Sequence, residues 1–272
     1  MGWLEAIILA LIQGICEFLP VSSSGHLSLF QNFFGLADME NILFYDVLLH
    51  FGTLIAVFAA FWKDIVEIVR EFFRIFTDKS NEKAPPARRM SLFIIIATIP
   101  LVLMLFFNSV IDYITGVPVL IGLLLIVTAL VLFVGDKCAN GQKTEKTMRL
   151  SDAVFVGVTQ LVATLPGLSR SGLTISAGLY RGFDRKLAVK FSFLMSIPAV
   201  LGATVLEAGK AVNQGVDTSL LPMMLVGVAI SAVVGYVAIR LVRKLISGDK
   251  FGYFAWYCLV AGAFTVIVSL VS

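Results

Sequence analysis

Long apolar runs alternate with short polar segments along this chain, and the length of each run sets what it can form. About 20 apolar residues in helical geometry cover the ~30 Å hydrocarbon core of a bilayer. Four runs reach that length without a charge: Met90–Ile111, Tyr113–Gly135, Thr218–Ile239 and Phe251–Ser272. Asn41–Trp62, with Asp46 and His50 near its start, and Phe191–Leu206, extended back through 185–190, bring the predicted spans to six.

Two apolar regions do not read as spans. Residues 3–36 are interrupted by Leu19-Pro20-Val21-Ser22-Ser23-Ser24-Gly25-His26, and residues 152–182 by Leu165-Pro166-Gly167-Leu168-Ser169-Arg170-Ser171-Gly172. A helix does not continue through such clusters. Each half is too short to cross alone, which predicts two re-entrant helical hairpins. Broken backbone at that depth survives only where it is packed in protein or lines a wet cavity.

Composition supports a membrane setting. The 272 residues are 58% hydrophobic and 14% charged, with a mean hydropathy of +0.94, against roughly 25% charged in soluble domains. A soluble enzyme, a disordered chain and a nucleic-acid binder are disfavoured, and a net charge of +3 signals no polyanion partner. Cys16, Cys138 and Cys258 form no C-x-x-C and read as free thiols. Met1 to Cys16 holds no Lys or Arg, so no secretory signal is expected there.

The positions of the charges set a topology. Of the 21 basic residues, all but Arg170 and Lys210 fall in segments 63–90, 136–150, 181–190 and 240–250, while 37–41 and 112–118 have none. The positive-inside rule places those four segments in the cytoplasm. The prediction is an all-α polytopic membrane protein: six transmembrane helices plus two re-entrant hairpins, 152–182 entering from the cytoplasm and 3–36 from outside, with both termini external. The whole chain, 1–272, is one membrane domain with a cytoplasmic loop at 63–90.

The broken regions also echo each other. Glu5-Ala6, Gln13, Leu19-Pro20, Ser22 and Gly25 correspond to Asp152-Ala153, Gln160, Leu165-Pro166, Ser169 and Gly172, with a one-residue shift at the prolines. A hairpin and three spans in each copy, about 1–136 and about 150–272, turn the second copy upside down. Such inverted-topology repeats commonly build a site at their interface.

Ionisable groups at membrane depth are costly and mark function by default. Gln13 and Glu17 lie on one helix face at i, i+4, followed by Ser22, Ser23, Ser24 and His26; the second break brings Ser169, Arg170, Ser171 and Thr174. Arg170 offers a planar fork of donors for phosphate oxygens, and the Ser169–Thr174 helix start adds an anion nest. Glu17 suits a general base or a divalent-cation ligand, and Gln13 a metal or phosphate contact. A serine beside a carboxylate and His26 suits a nucleophile. Each group also has a structural reading. Membrane serines commonly bond back to the i−4 carbonyl, Glu17 and Arg170 can be a plain buried ion pair, and His50 reads as a packing residue. Asp46, Glu67 and the 63–90 charges read as interfacial or solvated.

Gln13-Gly14-Ile15-Cys16-Glu17-Phe18-Leu19-Pro20-Val21-Ser22-Ser23-Ser24-Gly25-His26 and Pro166-Gly167-Leu168-Ser169-Arg170-Ser171-Gly172-Leu173-Thr174 resemble the two signatures of the undecaprenyl-diphosphate phosphatase (bacitracin-resistance) family. The resemblance implies hydrolysis of undecaprenyl diphosphate to the monophosphate and phosphate. That reaction recycles the lipid carrier for bacterial peptidoglycan synthesis and confers bacitracin resistance. It implies a bacterial cytoplasmic membrane, a site open to the outer face and a divalent cation (Mg or Ca) on Glu17 and Gln13. Glu17, Ser23, His26 and Arg170 are the expected catalytic residues. Gln13, Ser22, Ser24, Ser169, Arg170, Ser171 and Thr174 are the expected substrate contacts. The partner is a polyprenyl diphosphate lipid, no nucleic acid is expected, and a homodimer is allowed. Gln13 stands where other members carry Glu, so a catalytic base there does not belong to this chain. Either Ser23 or a water attacks phosphorus, and a lipid-phosphate flippase or secondary transporter on the same scaffold is the alternative.

Overall fold

A computed structural model describes residues 2–36, 42–77, 84–214, 218–248 and 250–271. The 37–41 segment, Lys79 and Lys83 lie outside the described residues. Among the described residues all regular secondary structure is helical, apart from one β-bridge between Lys143 and Phe183. Six helical stretches are long and apolar enough to cross a membrane: Ile42–Thr77, Pro86–Met104, Pro118–Lys137, Arg185–Leu206, Leu221–Ile246 and Gly252–Val271.

The helices are α1 (Trp3–Cys16), α2 (Ser23–Phe33), α3 (Ile42–Thr77), α4 (Pro86–Thr98), α5 (Asn108–Thr115), α6 (Pro118–Lys137), α7 (Leu150–Val162), α8 (Arg170–Tyr180), α9 (Arg185–Gln214), α10 (Leu221–Ser247) and α11 (Gly252–Val271). Boundaries differ from the predicted ones where local chemistry intervenes. α3 bends at Phe61 but continues to Thr77, so the charged 63–74 stretch is helix, not loop. Pro100 opens a 3-10 stretch at Ile99–Phe106, because proline removes a donor from the α ladder. The stretch after it is therefore divided: α5, which carries Asp112, takes its middle, and α6 starts on Pro118 at its first turn, where a missing N–H costs nothing. Arg240, Arg243 and Lys244 also lie within a helix, at the end of α10.

The basic segments interlock at one end. Arg88 donates to the buried Glu71 at 3.1 Å, and Arg89 reaches the carbonyls of Lys146 and Met148. Lys190 bridges Asp64 and Glu145, Asp152 gathers Lys143 and Arg181, and Arg185 donates to the Ile246 carbonyl at 3.0 Å. Arg243 lies over the Phe61 ring at 5.1 Å.

α1 packs on α10 and α7 on α4, each through one glycine. A Cβ on Gly14 would lie 2.9 Å from Val234 Cβ, and one on Gly157 would lie 2.6 Å from Ala97 Cα. α3 lies against α9, and α6 against α11.

Both breaks end on the same device. Ser22 and Ser169 cap α2 and α8, each Oγ accepting from the backbone N–H three residues on, Gly25 at 3.2 Å and Gly172 at 3.1 Å. Helix starts leave such donors orphaned, and in a bilayer no water meets them. Gly167 turns at φ +98°, and Ser22 holds φ +72° despite its side chain, a conformation that costs energy and concentrates at functional sites. Thr128, on α6, pins the second break: its Oγ1 donates to the Gly167 carbonyl at 3.0 Å and accepts from the Ser169 N–H at 3.1 Å.

Thr128→Val keeps the shape and strands two buried backbone groups, each costing about 1–3 kcal/mol. The detergent-solubilised variant is expected to melt several degrees below the native chain, while Thr128→Ser stays close to it.

Candidate active site

The two breaks face each other across the middle of the molecule. Ser171 Oγ donates to the Leu19 carbonyl at 3.1 Å, and Cβ atoms built on Gly25 and Gly172 would touch Gly167 and Pro20 at 3.0 and 3.1 Å. That approach brings together Glu17, at the end of α1, and Arg170, at the start of α8. Arg170 Nη2 forms an ion pair with Glu17 Oε1. The other oxygen, Oε2, accepts from Gln13 Nε2 at 3.0 Å and from Ser23 Oγ at 2.7 Å, and faces His50 Nε2 at 3.7 Å.

These contacts come from four helices, α1, α2, α3 and α8. Glu17 is 7% exposed and Gln13 fully buried, so the carboxylate is held from all sides. A lone carboxylate there would be costly, and the cation makes it tolerable. Two polar atoms of the cluster are buried without a partner: Arg170 Nη1 and Gln13 Oε1. One is a free donor and the other a free acceptor.

Beside the cluster lies a small polar cavity of ≈ 30 Å³, lined by Cys16, Glu17, Ser23, Ser24, Ala163, Leu168, Ser169 and Arg170. It has room for about two waters. Leu168 and Ala163 also pack with Leu173 in a small apolar cluster. On the far side of that cluster a second, apolar cavity of ≈ 370 Å³ opens between α6, α7 and α8, lined by residues including Val131, Val134, Phe155, Leu173 and Tyr180.

The remaining expected residues are placed differently. Ser22 is committed to its cap. Ser169 lines the cavity but also caps α8. Ser171 bonds across to the first break, and Thr174 Oγ1 donates back to the Arg170 carbonyl at 2.7 Å and meets Ser192 Oγ at 2.6 Å. His26 is absent from the cavity lining: Nδ1 sits 2.8 Å from the Ser22 carbonyl and Nε2 sits 2.9 Å from the Tyr257 hydroxyl. A carbonyl only accepts, so Nδ1 carries the hydrogen, and in the neutral ring the Tyr257 hydroxyl donates to Nε2.

His50, expected to be a packing residue, belongs to the cluster. Asp46 is half-buried, with Oδ2 accepting from Gln31 Nε2 at 2.8 Å. The available signal was the i, i+4 pair Asp46 and His50 inside an apolar run. Thr128 and Tyr257 gave none, each being a lone polar group in an uncharged span.

Among the described residues no three His, Cys, Asp or Glu side chains converge as a metal cluster. A cation here would draw on Glu17 and the free Gln13 carbonyl, with phosphate oxygens and water completing the shell, as magnesium sites commonly do. The orphaned Gln13 Oε1 makes the residues a fit for that arrangement.

Fold and site together define a polytopic helical membrane protein with a carboxylate–guanidinium centre held between two broken helix pairs. The family model described as "Bacitracin resistance protein BacA" matches residues 6–264, and the chain belongs to that family. It is 41% identical over 275 residues to an undecaprenyl-diphosphatase of Alkaliphilus metalliredigens, covering 99% of this chain and 100% of that protein. It is 39% identical to the undecaprenyl-diphosphatase of Methanosphaera stadtmanae, over 98% of each chain, and 36% identical to that of Geotalea daltonii, again over 98% of each.

Removing Arg170 alone strands a buried carboxylate, at a cost of about 3–5 kcal/mol. Arg170→Gln is therefore expected to lower the thermal midpoint in detergent more than the double variant Glu17→Gln/Arg170→Gln. The four-way comparison of melts measures the coupling.

Proposed function

We propose that this chain hydrolyses undecaprenyl diphosphate to undecaprenyl phosphate and phosphate, with the reaction centred on Glu17, Ser23 and Arg170. The observation that carries the site assignment is a serine held 2.7 Å from a carboxylate beside an arginine with one buried, unpartnered donor. Arg170 receives the terminal phosphate through Nη1 and, once Glu17 is displaced, through Nη2 as well. Glu17 accepts the Ser23 proton as Oγ attacks the terminal phosphorus. The Oγ–P bond forms, the anhydride P–O bond breaks, and the lipid monophosphate leaves; water then hydrolyses the phosphoserine and releases phosphate. A divalent cation (Mg or Ca) bound by Glu17 and Gln13 supplies charge neutralisation on the diphosphate oxygens. Stabilising that charge is the main catalytic demand in phosphoryl transfer.

The two broken pairs act as re-entrant hairpins of inverted repeats. Their packing supports this: α1 sits on α10 as α7 sits on α4, while α3–α9 and α6–α11 pair across the two halves. The interlocked basic end faces the cytoplasm by the positive-inside rule. Those ion pairs tie that end shut, so the site opens to the outer face of a bacterial cytoplasmic membrane. There the reaction returns the carrier for peptidoglycan synthesis, and the same activity confers bacitracin resistance.

Purified native protein is expected to release phosphate from the lipid diphosphate, to stop on chelation and to recover with Mg or Ca. Arg170→Ala falls below a tenth of the native rate, since one lost charge-stabilising donor costs on the order of 10²–10³-fold. A phosphoserine trapped at Ser23 separates the covalent route from direct attack by water. Transport without phosphate release would establish the carrier reading instead.

The apolar cavity beyond the Leu168–Leu173 wall takes part of the prenyl chain, being within the volume range of ligand pockets. Val134, 55% exposed on its rim, tolerates a large side chain. Val134→Trp is expected to raise KM several-fold for a C55 diphosphate and to leave a C15 diphosphate unchanged, as measured by phosphate release.

A further inference from the structure

Two helices that carry no motif residue hold the breaks from the side. α6 and α11 pack on each other, and α6 ties the second break through Thr128. α11 ties the first break through two consecutive residues. Cys258 Sγ donates to the Pro20 carbonyl at 3.4 Å. The Tyr257 hydroxyl lies 2.9 Å from His26 Nε2, and the two rings stack with centroids 5.7 Å apart and planes at 16°. The other ring nitrogen, Nδ1, donates to the Ser22 carbonyl at 2.8 Å. Both contacts suit a neutral imidazole, with Tyr257 donating to Nε2. Tyr257, His26 and Ser22 thus form one chain of hydrogen bonds from α11 to the first break.

The chain ends on a strained residue. Among the described residues Ser22 is the one non-glycine with a positive φ, and such a turn persists only where its surroundings over-determine it. Its carbonyl accepts from the His26 ring and also from the His26 backbone N–H, at 3.2 Å. Its own Oγ is spent on the Gly25 N–H. The next residue is Ser23, whose Oγ donates to Glu17 at 2.7 Å, so the Ser22 backbone angles set where that hydroxyl points. Small misplacements of a reacting group are costly in rate. We propose that Tyr257 is a positioning residue for the hydrolysis: its hydroxyl fixes the His26 ring on the Ser22 carbonyl, and that brace keeps Ser23 directed at Glu17. In this role His26 acts through Ser22, in keeping with its place outside the cavity lining. The proposal rests on the phosphatase reading of the site.

Phosphate release from the lipid diphosphate by the full chain in detergent gives kcat, and titration with a prenyl methylenediphosphonate, which cannot be hydrolysed, counts the intact sites. Tyr257→Phe keeps the stacked ring and removes only the hydroxyl. Its kcat per probe-binding site is expected to fall about fivefold, the rate equivalent of one neutral hydrogen bond. Probe affinity stays within about twofold of native, because no group that meets the phosphate has changed. His26→Asn retains a donor for the Ser22 carbonyl but does not reach Tyr257. Adding Tyr257→Phe to it therefore changes kcat by less than about twofold, the non-additivity of a shared path. An equal loss in both backgrounds, or a loss confined to probe affinity, overturns the brace. Rates taken per probe-binding site keep a partly unfolded variant from imitating the result. If native protein releases phosphate and Tyr257→Phe matches its kcat, only the brace fails. If native protein neither binds the probe nor releases phosphate, the phosphatase reading fails and the brace falls with it.

Discussion

A carboxylate and a guanidinium paired among the helices of a membrane protein is the constraint from which the rest of this structure follows. Neither Glu17 nor Arg170 is tolerable there alone, and they lie 153 positions apart in the chain. They meet only if both helix breaks reach the same place. The breaks in turn expose backbone groups that no lipid can satisfy, which is why serine caps, Thr128 and the crossing bond from Ser171 to the Leu19 carbonyl surround them. The same polar atoms that make the break affordable fix the position of the charge pair.

That pair also competes with the phosphate the site is proposed to bind. In the structure Glu17 occupies Arg170 as an internal anion, and the adjoining cavity is small, ≈ 30 Å³. Binding therefore exchanges one anion for another at the same guanidinium. The net gain is a difference between two strong interactions, so a small change in the alternatives open to Glu17 has a large effect on affinity. This makes the donors on Oε2, Gln13 and Ser23, and the nearby His50, as consequential as Arg170 itself.

Much of this was legible in the chain, and the failures have identifiable causes. Charge scarcity marked Glu17 and Arg170, and the Ser-x-x-Gly steps after each proline marked two similar helix starts. The spans around 90–135 were misdrawn because apolar run length carries no information about where Pro100 and Pro118 interrupt the backbone ladder. The 63–74 stretch looked like loop because it is charged, although buried Glu71 with Arg74 and Arg88 gives it a packed face. His50 read as a packing residue and Tyr257 gave no signal for a different reason: their roles depend on which helix lies opposite, and tertiary packing alone decides that. The Ser171 and Thr174 hydroxyls, expected as substrate contacts, have partners within the fold.

The identity of residue 13 shows how finely this cluster is balanced. A glutamate there would place a second carboxylate one helical turn from Glu17 and on the same face. Two such groups in close contact cannot both ionise without an added cation. Glutamine removes the conflict: its amide nitrogen donates to Glu17 at 3.0 Å, and its carbonyl is left buried and free. The resting site is thus neutral through Arg170 alone and needs no metal to hold together. A cation binding with the diphosphate would find one carboxylate and one neutral carbonyl, so most of its ligands would come from the substrate and water. In this chain metal and lipid diphosphate are expected to bind as a unit, because the protein alone offers the metal too little and the diphosphate alone must displace Glu17 unaided.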